Sequence, residues 1–376
     1  MASSIWAGLD IGVESTSICV LDQSGEVLQQ GTCPSSLKHV HDELKWLKRR
    51  KRATISLEAG VGTSLARGLR ALGYRVEVYE ARQLSKFLKV RRNKTDAGDA
   101  RGIAEAGRIG ADLVSRVHVK TLDCQMLQSR LAMRRHFIRT RVRTVSLLCR
   151  QVELYGGRIR CLEGDNRLGS RANLEIARLF PKGSPSLAGE FCLLLQQREH
   201  LLAIERKLDR ELRCLARDNR ICRKFMTVPG VGPICALSFY ASVGEPDRFK
   251  RVSDIGSYFG LTPRIHQSGL VERFGRISKM GNRHVRSLLV RSAMSFLRWG
   301  DPDCALHHWA RSIEQRRGRG RAKVALARKL AMIMLSMWKS GESFDRRPPA
   351  GAPGVTGGVS GADLVPLRAD QARLLS

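Results

Sequence analysis

The sequence predicts an α/β domain over residues 1–115 and all-α structure from there to residue 344. Two patterns carry that prediction. In the first part, short β-branched and apolar runs alternate with helical stretches. Beyond residue 116, apolar residues recur at helical spacing instead.

Taken in order, Ile5-Trp6-Ala7-Gly8-Leu9 reads as a strand leading into Asp10-Ile11-Gly12. A second strand, Thr16 to Leu21, runs to the turn signal Asp22-Gln23-Ser24-Gly25. A mixed-charge helix is expected over His39 to Lys51, and a strand over Ala53 to Glu58. The Gly-rich turn Ala59-Gly60-Val61-Gly62 then opens a helix, Ser64 to Leu72, before a further strand, Arg75 to Tyr79.

Residues 116–221 read as a helical coiled-coil region. Leu122, Met126, Leu131, Ile138, Val142 and Val145 predict one long helix. A Gly/Pro/Ser loop, Phe180 to Gly189, separates it from a second. There Phe191, Leu194, Leu201, Leu208, Leu212 and Leu215 form a heptad seam, interrupted by Arg198 and Glu205. Residues 222–344 form a third region. Val228-Pro229-Gly230-Val231-Gly232-Pro233 before a helix, Ile234 to Val243, is similar to the turn of helix-hairpin-helix modules. Further helices are expected over Val252 to Phe259, Arg283 to Leu297 and Ala322 to Met337. The Pro/Gly-rich stretch over 345–376 predicts a disordered tail.

Charge narrows the function. The 376 residues carry 66 Lys and Arg against 35 Asp and Glu, a formal net charge of +31. Self-repulsion on that scale calls for a polyanionic partner, and nucleic acid is the commonest. No apolar span approaches the ~20 residues a bilayer needs, so no membrane partner is expected. Ten scattered cysteines without C-x-x-C spacing exclude a zinc ribbon and suit reduced thiols in the cytoplasm. Residues 131–150 hold six arginines and no acid. Arg135, Arg139 and Arg143 fall at i, i+4 and i+8 on one helix face, so they form a candidate phosphate-binding stripe. The alternative is a solvated face.

Four acids form the candidate metal site. Asp10 and Glu58 each close a predicted buried strand, where an unpaired carboxylate is costly. Asp96 and Asp99, three apart at a predicted helix start, share one face. Brought together, the four would make a hard-oxygen site for Mg2+ or Mn2+, the arrangement that clamps the attacking and leaving oxygens of a phosphodiester. A helix N-cap at Asp96 and a simple turn at Asp10 are the structural alternatives.

Asp10, Ser56-Leu57-Glu58-Ala59 and Lys94-Thr95-Asp96-Ala97-Gly98-Asp99-Ala100 resemble the DEDD transposases of bacterial insertion sequences, the IS-one-ten type. The C-terminal half agrees. Val228 to Pro233, Phe259-Gly260-Leu261-Thr262-Pro263, Gln267-Ser268-Gly269 and Arg276-Ile277-Ser278-Lys279-Met280-Gly281-Asn282 resemble that family's second domain. The resemblance spans about residues 5–340 and implies a ribonuclease-H-like, RuvC-like domain at the N-terminus. It implies a recombinase that excises and inserts its own element on double-stranded DNA, guided by a structured bridge RNA. It further implies metal held by Asp10, Glu58, Asp96 and Asp99, and a serine nucleophile. Motif position assigns the nucleophile to Ser268, with Ser278 second. Lys279, in the same block, joins the arginine stripe as a candidate nucleic-acid contact. Homodimers assembling to tetramers in a bacterial, nucleoid-associated setting follow from the same likeness. The family often carries a lysine shortly after the first Asp. Here Glu14 follows instead and adds a negative charge. Three other readings compete: a junction resolvase without a covalent serine step, a non-catalytic nucleic-acid binder, and an actin-like ATPase suggested by Asp10-Ile11-Gly12.

Overall fold

A computed structural model describes residues 4–50, 52–89, 95–110, 113–159, 167–181, 187–268 and 271–345, with side chains outside 265–274. Lys94, the side chain of Ser268 and the tail beyond residue 345 therefore lie outside what is described. The chain divides into two compact units, residues 1–120 and 121–376.

The first unit is a five-stranded mixed sheet. Its strands are β1 (Ile5–Ile11), β2 (Ser15–Leu21) and β3 (Val27–Pro34), then β4 (Ala53–Glu58) and β5 (Val76–Tyr79), in the order β3-β2-β1-β4-β5. The β1–β2 and β2–β3 pairs are antiparallel, whereas β1–β4 and β4–β5 are parallel. Strand β3 carries mostly exposed residues on the sheet edge, so no apolar alternation announced it. The helices are α1 (Leu37–Leu44), α2 (Gly62–Ala71), α3 (Ala81–Leu88) and α4 (Asp96–Ile109). The helix expected over His39 to Lys51 ends early, and a 3-10 turn at Lys45–Arg49 takes its place.

Alternation along β1 sorts the two faces. Ala7 and Leu9 enter a core with Val40, Leu44, Ala66 and Leu69 of α1 and α2. Gly8 faces the other way, against α4. A Cβ on Gly8 would fall inside 3.0 Å of the backbone of Ala100 and Ala104. Glycine is therefore required by the helix's approach rather than by a turn. Glu77 of β5 is a buried carboxylate. It accepts from Tyr79 Oη at 2.7 Å and pairs with Arg116 at 2.9 Å and Arg75 at 3.5 Å.

In the second unit, α5 (Leu122–Leu154), α6 (Leu168–Leu179) and α7 (Ala188–Asp218) come first. The amphipathic α6 was absent from the expected elements. Helices α5 and α7 pair antiparallel, through an ion pair of Arg134 with Asp209, one of Arg141 with Glu205 at 2.8 Å, and Thr144 Oγ1 donating to Gln197 at 3.0 Å. Glu205, an interruption of the heptad on sequence grounds, is thus a cross-helix partner.

The remaining helices are α8 (Arg220–Phe225), α9 (Pro233–Val243), α10 (Asp254–Tyr258), α11 (Arg283–Trp299), α12 (Ala305–Arg317) and α13 (Arg319–Ser340). Helix α9 and the second half of α13, Leu330 to Met337, are buried on nearly every face and form the centre of this unit. Phe225, Phe239, Phe259 and Phe296 are fully buried around them. The expected all-α character fails at one place. β6 (Pro263–Ser268) and β7 (Val271–Ile277) form a two-stranded antiparallel sheet. Its charged residues hid the strand period, because a two-stranded ribbon needs no continuous apolar face.

Eight described cysteines are free thiols, whereas Cys149 in α5 is disulfide-bonded, against the expectation of thiols throughout. Among the described residues no helix is long and apolar enough to cross a membrane.

Candidate active site

The carboxylates are positioned by strand register and helix approach. The parallel β1–β4 ladder pairs Leu9 with Leu57, so one step further sets Asp10 beside Glu58 at the C-terminal ends of neighbouring strands. Adjacent strands lie about 4.8 Å apart. Gly8 faces α4, and the Ser56 hydroxyl lies against Gly107 of that helix. By the two-residue period Asp10 and Glu58 face the same side. Helix α4 runs antiparallel to β1, with Gly107 over Trp6 and Ala100 with Ala104 over Gly8. Its first turn, holding Asp96 and Asp99, therefore lies toward the Asp10 end.

Thr95 caps this helix, its Oγ1 accepting from Gly98 N at 3.1 Å. Asp96 is therefore a first-turn residue rather than the cap. The positive end of the helix favours both carboxylates. Asp10 and Asp99 are half-buried, while Glu58 and Asp96 are exposed. No set of three His, Cys, Asp or Glu among the described residues is gathered closely enough to hold a metal. Glu14 is exposed in the β1–β2 turn.

The serine candidates sit on the β6–β7 ribbon. Ser268 ends β6 and pairs with Val271, at the tip. Ser278 follows β7 at the foot, where its N–H donates to Thr262 O at 2.8 Å. Six residues of extended chain separate the two levels, about 20 Å. They cannot serve one reaction centre interchangeably. The foot is tightly held. Lys279 N donates to Gly260 O at 3.2 Å, and the buried Arg286 donates through Nη1 to Phe259 O at 2.9 Å and Met280 O at 2.7 Å. Gly260 and Gly281 have φ of +63° and +68°, and a Cβ on either would strike the backbone of the facing segment. Lys279 itself is exposed with φ +56°, a conformation a non-glycine residue rarely adopts. The clamp residue Arg286 was missed in the sequence, where a helix arginine gives no sign of carbonyl partners.

The six arginines of residues 131–150 divide. Arg134 and Arg141 are neutralised by α7, while Arg135, Arg139 and Arg143 have no ion-pair partner among the described residues. Burial and neighbouring Arg139 lower the Arg135 pKa. Arg135 lines a cavity of about 310 Å³ between α5, α9 and the start of α11. His284 lines it too. Burial, then Arg135, Arg134, Arg139 and Arg291, push its pKa down to about 4. The local field is thus strongly positive.

Comparison with known proteins settles what this scaffold belongs to. Residues 7–156 match the family model of IS110-type DEDD transposases, and residues 222–313 match that of the transposase IS116/IS110/IS902 family. The chain is 30% identical over 341 residues to a "Probable family 20 transposase" of Pseudomonas aeruginosa, covering 88% of this chain and 95% of that one. This protein belongs to the IS110/IS116 family of transposases. It is also 28% identical over 343 residues to the transposase for insertion sequence element IS1111A of Coxiella burnetii, with 90% of each chain covered. A pilin gene-inverting protein of Moraxella bovis is 28% identical over 143 residues, 36% of this chain and 42% of that one. The first match spans this transposase from β1 to the end of α5. The second spans α8 to α12, with the serine ribbon inside it.

Proposed function

We propose that this transposase excises and inserts an insertion sequence through a composite site, with Asp10, Glu58, Asp96 and Asp99 as the metal-binding half and Ser268 as the nucleophile. The supporting observation is the shared address of the carboxylates: two neighbouring strand ends and the first turn of the helix packed on that face. Strand order β3-β2-β1-β4-β5, with two antiparallel pairs followed by two parallel ones, supports a ribonuclease-H-like, RuvC-like reading of this domain. Labour divides along the chain. Residues 1–115 hold the carboxylates, 116–221 form a helical spacer with coiled-coil character, and 222–344 carry the serine.

Oxygen-only donors suit Mg2+ or Mn2+, which would polarise the scissile phosphate and lower the cost of serine ionisation. Half-buried Asp10 and Asp99 would be the inner ligands of such an ion, and the exposed Glu58 and Asp96 would complete its oxygen shell. The Ser268 oxygen bonds to phosphorus while its proton passes to a carboxylate of the set. The phosphorus–oxygen bond of the strand breaks, and the departing oxygen takes up a proton as a free hydroxyl. A hydroxyl on the exchanged strand then attacks the same phosphorus and returns the serine. Each bond broken is matched by one formed, so no nucleotide cofactor is consumed.

Substrates are double-stranded element ends and target, selected by a structured bridge RNA. Arg135, Arg139, Arg143 and Lys279 contribute phosphate contacts. Carboxylates and serine lie in different units, which fits a dimer that pairs into a tetramer in the bacterial cytoplasm. The test is incubation with element-end DNA, cognate RNA and Mg2+, followed by denaturing electrophoresis for protein joined to DNA. The adduct is expected to vanish in Ser268→Ala and to survive in Ser278→Ala. Cleavage without any adduct would replace this mechanism with simple junction resolution.

A further inference from the structure

A groove of about 1640 Å³ in the second unit is formed by the foot of the β6–β7 ribbon, the α12–α13 junction and the loop before α10. Small-molecule pockets occupy roughly 300–1,000 Å³, so this space suits a segment of polymer. Nine lysines and arginines line it and no acid does. Arg276 and Lys279 come from the ribbon's foot, and Arg316, Arg317 and Arg321 from the helix junction. None of those three junction arginines has a carboxylate partner among the described residues. Deeper in, the Nε of Arg328 is buried with no hydrogen-bond acceptor. Burial and Arg328 together pull the buried Lys329 ammonium down to about 8, a cost that an arriving anion would offset.

Between the cations the lining is apolar. Leu261, Ile277, Ile313 and Met332 contribute, with half-buried Trp309 beside Lys329, whose Nζ stands 5.6 Å from the ring centroid. A duplex offers phosphates but keeps its base faces stacked inside. An unpaired strand offers both.

We propose that this groove holds an unpaired nucleic-acid strand, its phosphates on the junction and ribbon cations and its bases against Trp309 and the apolar lining. The inference rests on the family's action on DNA and not on the serine step. Groove and serine ribbon share the β6–β7 foot, so a strand held here approaches the ribbon from its base.

The test is fluorescence anisotropy with labelled dT20, rU20 and a 20-base-pair duplex, using the full chain and no metal. Arg316, Arg317 and Arg321 are exposed, so the triple R316A/R317A/R321A is expected to fold, as circular dichroism would verify. It should lose at least about tenfold in single-strand affinity, and its salt slope should fall by about 2, at ~0.7 per phosphate released. Trp309→Leu should cost about fivefold or more on single strands and nothing on the duplex. Loss on dT20 identifies a DNA strand as the occupant, and loss confined to rU20 identifies the guide RNA. Unchanged binding of both single strands by the triple variant, or an equal loss on the duplex, overturns the proposal. Ser268→Ala should bind all three probes like the wild type, so failure of the serine reading and failure of this one are separable.

Discussion

Gly8→Ala tests the link between fold and site with one methyl group. Gly8 lies at the middle of the central strand, and a Cβ there would stand 2.9 Å from Ala104 Cα and closer still to Ala100 O and Ala104 N. All three are backbone atoms, so no side chain can swing aside. The approach to Ala100 O is the tightest, and relieving it to ordinary contact at 3.4 Å requires α4 to retreat by about 1 Å or more, with the loss of the dispersion contacts at Ala100 and Ala104. Overpacking of this kind costs about 1–3 kcal/mol. The catalytic loss should exceed the stability loss, because α4 carries Asp96 and Asp99 while β1 carries Asp10. Misplacement of reacting groups by about 1 Å costs on the order of 100-fold in rate. The measurements are urea unfolding of the full chain and strand cleavage of element-end DNA under conditions where the variant is folded. Gly31→Ala is the control, since a Cβ there meets nothing within 4 Å. Gly8→Ala matching Gly31→Ala in both stability and cleavage would refute the claim that close approach of α4 to β1 assembles the carboxylates.

Three further outcomes follow from other parts of the molecule. Arg286→Ala removes both carbonyl contacts at the ribbon foot; it should lower stability by about 1.5–3 kcal/mol and abolish the covalent adduct before it abolishes DNA binding, measured by unfolding and anisotropy. His284, at about 4 when folded against 6.5 unperturbed, is held neutral in the native state. Its contribution is therefore present above pH 6.5 and lost as pH falls toward 4, so His284→Gln should flatten the acid limb of stability between those values in chemical unfolding. Tyr79 is pushed up to about 12 by burial and then by its bond to Glu77, so it stabilises below pH 10 and loses that contribution as pH rises toward 12. Tyr79→Phe should remove this alkaline slope from the unfolding midpoint.

Much of this was legible because the relevant signals are local. The strand ends at Asp10 and Glu58 announce themselves by apolar runs that stop, and the helix start by Asp96 and Asp99, three residues apart. Thr95 shows the limit, since only geometry distinguishes it from Asp96 as the cap. Strand β3 and the β6–β7 ribbon were missed for a common reason. Neither buries a whole face, so neither needs the alternation that marks a strand. The groove cations fall at residues 250–251, 276–279 and 316–329, and nothing short of the tertiary fold shows that they share one wall. Spacing alone sets Arg135, Arg139 and Arg143 on one helix face, but the neutralisation of Arg134 and Arg141 beside them shows only once α7 lies alongside.

The two candidate halves of the site are built to different standards of rigidity, and this bears on how they would meet. Asp10 and Glu58 are anchored in a five-stranded sheet, with α4 locked against it by backbone contact at Gly8. Ser268 ends a ribbon of two strands, with no third beside it among the described residues. Two isolated strands are only marginally stable in water. The ribbon's defined end is its foot, where Arg286, Lys279 and Ser278 make backbone contacts. On the proposed mechanism, a serine carried this way is aimed by the ribbon's foot. Shortening β6 and β7 by two residues each would move the serine about 7 Å toward the foot, at ~3.3 Å per residue, while leaving the clamp intact. The shortened protein should bind DNA normally and form no adduct, and an adduct at wild-type yield would show that the tip's reach is not what governs the reaction.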